Sequence, residues 1–312
     1  MYYPYLRGKQ FELIALREFS NENPTPTHVC PIIEPVKSSF NGLNTAISTL
    51  SSNNVHFAII LNPSNGDFKR IRQDILENVP ILTELIGKWT PAFIVSDDAA
   101  SIEQYISSHN LNKVMLIFPY STDLSNADII RLLDMKEIRY VVANLKGDRK
   151  NKKRLIDDGR LLIRLDDQFN EQPRNADYLD IPEEKFTEEH RYYKDDGYSG
   201  FSDYTTLPSS FKESGMLPYA VAIHLTYQKN DDEIFIRHFV SDHNDDNTNI
   251  PGKFYEAAKK MATFFAGKEN TTATMELITL LESNRYPGLG VLKKLSIKNH
   301  LELVEKFLEG QQ

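Results

Sequence analysis

Asp195 to Pro208 reads DDGYSGFSDYTTLP and holds the densest set of groups able to do chemistry in this chain. Carboxylates at Asp195, Asp196 and Asp203 stand among Tyr198, Tyr204, Ser199, Ser202, Thr205 and Thr206, with Gly197 and Gly200 between them. Carboxylates accept protons or hard cations, and phenols donate hydrogen bonds or stack on rings. Polar, glycine-punctuated loops between rigid flanks are where binding and catalysis concentrate. We therefore centre the candidate site here, with Tyr198, Asp203 and Tyr204 as ligand-binding residues and Asp203 also as a catalytic one.

Other candidates come from the ends of apolar runs and from a hairpin. VCPIIEP (29–35) places Glu34 at the end of a run, and RLLIRL (160–165) is followed by Asp166 and Asp167. Asn62, Asp97, Asp98, Tyr120 and Asn144 stand at corresponding places. Carboxylates gathered on one rim could hold a divalent cation such as Mg²⁺ or Mn²⁺, since hard cations take oxygen ligands. Asp and Asn are equally well suited to forming turns at strand ends. Glu34 is a catalytic candidate and Asp166 a ligand-binding one. YAVAIHLTY (219–227) and EIFIRHFVS (233–241) flank QKNDD as a hairpin, which can bring His224 near His238 across the strands. His224 is a general acid or base candidate and Arg237 a ligand-binding one. No H-x-H or H-E-x-x-H spacing surrounds the histidines, so no metal ligand is assigned. Ser202 lacks the second glycine of G-x-S-x-G and is not a hydrolase nucleophile.

These residues need elements to hold them. Apolar runs at 29–35, 56–63, 92–97, 114–119, 138–144 and 160–165 alternate with helical spacing at 43–50, 68–86, 99–108 and 123–133. The runs are nearly continuous rather than alternating, as strands covered on both faces require. Residues 200–206 read as a seventh strand and 219–227 as an eighth, with an aromatic arm and helical cap at 2–17. The pattern predicts an α/β fold, a (β/α)8 TIM-barrel-like domain with a β-hairpin and extra C-terminal helices. A doubly wound open parallel sheet is the alternative, disfavoured because no glycine-rich phosphate loop follows the first run. The expected organisation is one barrel-like domain over 1–312. In it, 168–199 is a long excursion over the barrel mouth and 228–252 a hairpin extension.

Composition bounds the function. A formal net charge of −8 and a pI near 5.6 give no overall attraction to nucleic acid or to an anionic membrane. The basic segment KGDRKNKKR (146–154) reads as a solvated loop and helix start. Cys30 is the only cysteine, which allows neither an internal disulfide nor a thiolate zinc site. No signal-like N-terminus and no run of about 18 apolar residues is present, so the expected location is cytoplasmic with no membrane partner.

Four separated segments, YYPYLRGKQFELIALRE, DGYSGFSDYTTLP, IRHFVSD and NIPGKFYEA, together resemble the beta protein family of bacterial and phage-related genomes. The resemblance spans nearly the whole chain and carries no residue roles. It implies a component of an anti-phage defence or mobile-element system beside a nuclease-like partner. Three readings follow. The barrel recognises a nucleotide, another phosphate-bearing ligand or a phage-derived signal. Alternatively it is a non-catalytic scaffold acting with that partner or as a homo-oligomer, or it is a metal-dependent phosphodiesterase or nuclease.

Overall fold

The computed structural model describes all residues except 25, 26, 72, 97, 120–122, 214–216, 231, 232, 311 and 312. Along the chain β1 (Tyr5–Arg7) leads into α1 (Gln10–Glu22), and β2 (Ile32–Glu34) into α2 (Asn41–Ser52). After β3 (Phe57–Ile60) come a 3-10 turn at Gly66–Lys69 and two short helices, α3 (Ile75–Asn78) and α4 (Ile81–Glu84). The alternation continues through β4 (Trp89–Ile94), α5 (Ala99–Ser108), β5 (Val114–Phe118), α6 (Ala127–Asp134), β6 (Ile138–Ala143), α7 (Arg149–Asp157) and β7 (Leu161–Leu165). A 3-10 turn at Asn175–Leu179 precedes β8 (Glu183–Thr187), α8 (Glu189–Tyr192) and β9 (Gly200–Ser202). A hairpin of β10 (Ala222–Asn230) and β11 (Glu233–Val240) is followed by α9 (Ile250–Phe265), α10 (Thr272–Glu282) and α11 (Leu289–Glu309).

The chain groups into two compact units. Met1–Lys9, Asn23–Asp166 and Glu189–Asp203 form the first. Its eight strands are parallel and run in the order β1-β2-β3-β4-β5-β6-β7-β9. The two ends of the sheet meet in a parallel bridge between Tyr2 and Phe201. Tyr3 N–H donates to Phe201 O at 2.8 Å, and Tyr5 N–H to Asp203 O at 2.8 Å. Eight parallel strands, closed in this way and alternating with helices, make a (β/α)8 TIM-barrel-like α/β fold.

Register decides which side chains fill the lumen. Tyr5, Ile32, Ala58 and Thr90 are successive partners on one face, as are Met115, Tyr140, Leu161 and, one pleat further, Ile163 and Gly200. Tyr140 on β6 acts electrostatically on Tyr3 and is itself acted on by Cys30, which precedes β2. Groups so far apart in strand order meet only across the barrel, so this face is the inside. Gly200 shows the crowding there: a Cβ would come within 2.6 Å of the Tyr3 ring.

Gln10–Glu22, Asp167–Glu188 and Tyr204–Gln312 form the second unit. Its sheet has the order β10-β11-β8 and is antiparallel throughout. Val221, Ile223, Leu225 and Phe239 pack with Phe254, Ala257 and Met261 of α9 and with Leu277, Leu292 and Leu295. α1 lies on α11. The Lys294 ammonium reaches Glu18 at 2.8 Å and Glu276 at 3.0 Å, and Lys298 reaches Glu22 at 2.6 Å. Burial works to lower the Lys294 pKa, but the two carboxylates outweigh it and the group is held charged. Gly290 lets α1 and α11 approach, because a Cβ would fall 1.9 Å from a carbon of the Phe11 ring.

One expectation is corrected. The eighth barrel strand is Tyr5–Arg7, within the stretch read as an aromatic arm and cap, and not 219–227. A tight hairpin joins only antiparallel strands, whereas a parallel barrel strand needs a crossover, so β10 pairs with β11 and leaves the barrel to β1. The 168–199 stretch carries the second 3-10 turn, β8 and α8. Part of the expected turn QKNDD lies outside the described residues.

The barrel seam makes a direct prediction. Tyr2 is fully buried, its ring stacks on Phe201 at 5.0 Å, and its hydroxyl donates to Asp203 at 2.6 Å. Burial and then the Asp203 charge keep that hydroxyl protonated by raising its pKa. Tyr2→Phe keeps the ring stack and removes one donor from a buried carboxylate, and should cost about 1–3 kcal/mol. Urea unfolding measures it; an unchanged midpoint would show that the seam does not rely on this bond.

Candidate functional site

Active sites of (β/α)8 barrels lie at the carboxyl ends of the strands. Most polar residues at those ends turn out to tie neighbouring strands together. Glu34, fully buried, accepts from the Tyr5 hydroxyl at 2.9 Å, from Ser64 N–H at 3.2 Å and from Asn65 Nδ2 at 2.9 Å. It therefore joins β1, β2 and the loop after β3. Asn62 acts as a surrogate peptide, since Nδ2 donates to Ile94 O at 2.8 Å and Oδ1 accepts from Ile94 N–H at 2.9 Å. Asp203 accepts from Tyr2 and so holds β9 to the chain entering β1. Asp98 caps α5 through Ser101 N–H at 3.3 Å. Asp97 and Tyr120 lie outside the described residues.

The rim opens into a cavity at the ends of β5, β6 and β7. It measures about 460 Å³ and is lined by Phe118, Pro119, Leu124, Ala143, Asn144, Leu145, Lys146, Gly147, Asp148 and Leu165. Its wall mixes apolar side chains, Phe118, Pro119, Leu124 and Leu165 among them, with the polar Asn144, Lys146 and Asp148. Gly147 has a φ of 96°, which permits the sharp turn between Lys146 and the α7 cap at little cost. Asp148 caps that helix by accepting from Asn151 N–H at 3.1 Å.

Two sequence candidates converge on this loop. Asn144 Nδ2 donates to Asp166 Oδ1 at 2.7 Å, and Leu145 N–H donates to the Tyr198 hydroxyl at 3.1 Å. Lys152 stands 4.1 Å from the centre of the Tyr198 ring. Asp166 is also ion-paired to Arg164 Nε at 2.7 Å, and Arg164 continues to Glu189 at 2.7 Å and Asp196 at 3.1 Å. Burial raises the Asp166 pKa; Arg164 opposes that shift and the Asp203 charge adds to it. A carboxyl poised this way beside a cavity can exchange a proton or accept a ligand hydrogen bond.

The remaining candidates belong to the second unit. Tyr204 is buried there, and Asp167 accepts from Ser209. Arg237 pairs with Glu183 at 3.1 Å and lies 4.5 Å from the Phe264 ring centre, a packed and paired position. His224 lies opposite His238 in register, with their Nδ1 atoms 2.7 Å apart. The loop at the centre of the sequence reading thus divides at Asp203, its first part in the barrel and its last part outside it. Ring stacking by its aromatic residues is internal: Phe201 sits between Tyr2 and Tyr193, whose ring centres are 5.0 and 5.3 Å away.

Arg164 and Glu189 were not among the sequence candidates. A single arginine inside the apolar run RLLIRL was the available signal, because a charge in such a strand demands partners. Lys146 was read only as part of a solvated basic segment. Among the described residues, no group of three or more His, Cys, Asp or Glu side chains could hold a metal ion. No helix of the described residues is long and apolar enough to cross a membrane.

Because the Asp166 pKa is raised on folding, the native chain binds more protons than the unfolded chain between 3.8 and the raised value. Its contribution to stability is therefore fully present at low pH and is lost as pH rises through the folded pKa. Compared with Asp166→Asn, the wild type should gain stability as pH falls through that window. Urea unfolding of both proteins from pH 3 to 7 checks this, and a difference independent of pH would contradict the assignment. Comparison of the chain with family models, curated proteins and solved structures found no match.

Proposed function

We propose that this chain is the ligand-recognising component of an anti-phage defence or mobile-element system. Its barrel takes a nucleotide or similar phosphate-bearing molecule at the carboxyl ends of β5 to β7. The observation that carries the ligand half of the proposal is the cavity itself, where Asn144, Lys146 and Asp148 share the wall with Phe118, Pro119 and Leu165. A base or other flat ring suits Phe118, Pro119 and Leu165. A phosphate suits the Lys146 ammonium, and ribose hydroxyls suit the Asn144 amide and the Asp148 carboxylate. The biological half rests on the four sequence segments that resemble the beta protein family.

A scaffold acting with a nuclease-like partner is the second reading. Exposed apolar side chains in the second unit, Leu217, Tyr219 and Met275, favour it. The metal-dependent phosphodiesterase reading has no donor set among the described residues.

The experiment is a thermal-shift series on the purified chain with AMP, ribose 5-phosphate and inorganic phosphate, using wild type and Lys146→Ala. A ligand at about 100 times its dissociation constant should stabilise the wild type by about 2.7 kcal/mol. The variant, altered only at an exposed loop residue, should keep its own midpoint and lose most of the ligand effect. Absence of any shift in the wild type would remove the ligand reading and leave the scaffold reading.

A further inference from the structure

We infer that Glu184, His238 and His224 form an acid-sensitive latch across the β8-β11-β10 sheet, which opens when both imidazoles carry a proton. His224 and His238 face each other on β10 and β11, their Nδ1 atoms 2.7 Å apart. His238 Nε2 lies 3.3 Å from Glu184 Oε1 on β8. The chain of contacts therefore crosses all three strands. Phe169 and Tyr178 close over it, with ring centres 5.2 and 4.7 Å from that of His224.

The geometry fixes the protons. Glu184 accepts, so His238 Nε2 carries hydrogen, and a neutral His238 then presents a bare Nδ1. The Nδ1 to Nδ1 contact needs one hydrogen, which His224 supplies. His224 Nε2 is left bare, with no hydrogen bond to a described residue, and is the nitrogen that can take up a proton. A first proton taken up there can be accommodated: His224 Nδ1 passes its hydrogen to His238, and the imidazolium rests between Glu184 and His224. A second proton leaves no acceptor between the rings. Two N–H groups and two positive charges then face each other at hydrogen-bond distance.

The charged surroundings are mixed: Glu184 favours a charged His238, and Glu171 acts on both Lys293 and Tyr178. Lys293 of α11 adds positive charge near His224, and Glu184 is the carboxylate in contact with His238. α9 packs on the opposite face of the sheet through Phe254, Ala257 and Met261. Burial lowers both imidazole pKa values below the ordinary 6.5, with Glu184 partly opposing this at His238. Below 6.5 the unfolded chain binds more protons than the native one. Stability is on its plateau above that pH and declines as pH falls through the folded values.

The test uses the full chain, wild type and His224→Gln, followed by amide hydrogen exchange corrected for intrinsic rates and by nitrogen-detected titration of the histidine rings. In the wild type, exchange in β10 and β11 should quicken at least about ten-fold between about pH 7.5 and pH 5, while β5 is unchanged. The two rings should titrate as a coupled pair below 6.5. With one ring removed, the acid response of the sheet should disappear. If the variant does not fold, the wild-type ring titration decides alone. Two independent titrations near 6.5, or equal acid opening of β5, would overturn the latch.

Discussion

An eight-stranded parallel barrel closes only if its carboxyl ends are tied as firmly as its strands, and here polar side chains do the tying. Parallel ladders stop at short strands such as β1, β2 and β9, three residues each. Beyond them the backbone groups and the loops need other partners. Tyr2 with Asp203, Tyr5 with Glu34, Glu34 with Asn65, Asn62 with Ile94 and Asn144 with Asp166 supply these. Removing a buried carboxylate from this belt would strand its donors, whose desolvation is already complete.

That constraint explains why most rim candidates are not free for chemistry. A carboxylate that already accepts three hydrogen bonds, as Glu34 does, has little capacity left for a ligand. Asp166 differs, because burial raises its pKa and its partner Asn144 lines the open cavity. The proposed ligand site is the interval between β5 and β7, where the belt parts around a space of about 460 Å³. The loop there is set by Gly147, capped by Asp148 and propped by Tyr198, so its cation, Lys146, is held on a fixed base.

Much of the barrel was legible because strands covered on both faces must be apolar throughout, and six such runs stood out between helical stretches. β1 was not, because Tyr5–Arg7 is three residues long, follows Pro4 and ends before Gly8. Its signal was a period of two, Tyr3, Tyr5 and Arg7, easily lost beside the helical pattern that begins at Gln10. The hairpin was legible as a hairpin but not as a separate antiparallel sheet, since its third strand, EEKFT, is mostly charged. Tyr198 and Asp166 were singled out from residue type and position, and the structure places both at the β6–α7 loop. Arg164 was missed because its partners Glu189 and Asp196 lie far along the chain, and Lys146 because a cation in a basic run carries no mark of the cavity it lines. The His224 and His238 register followed from the turn spacing, whereas their shared hydrogen depends on Glu184, a residue that sequence alone does not bring near.

The central claim is that the parted rim between β5 and β7 receives a phosphate-bearing ligand while the rest of the belt holds the barrel shut. A crystal structure of the chain grown with AMP tests it most directly. The account predicts density in the cavity with phosphate oxygens about 2.7–3.0 Å from Lys146 Nζ and the ring against Phe118 and Leu165, with the Asn144 to Asp166 tie intact. An empty cavity at saturating nucleotide, or AMP bound elsewhere on the barrel, would contradict it.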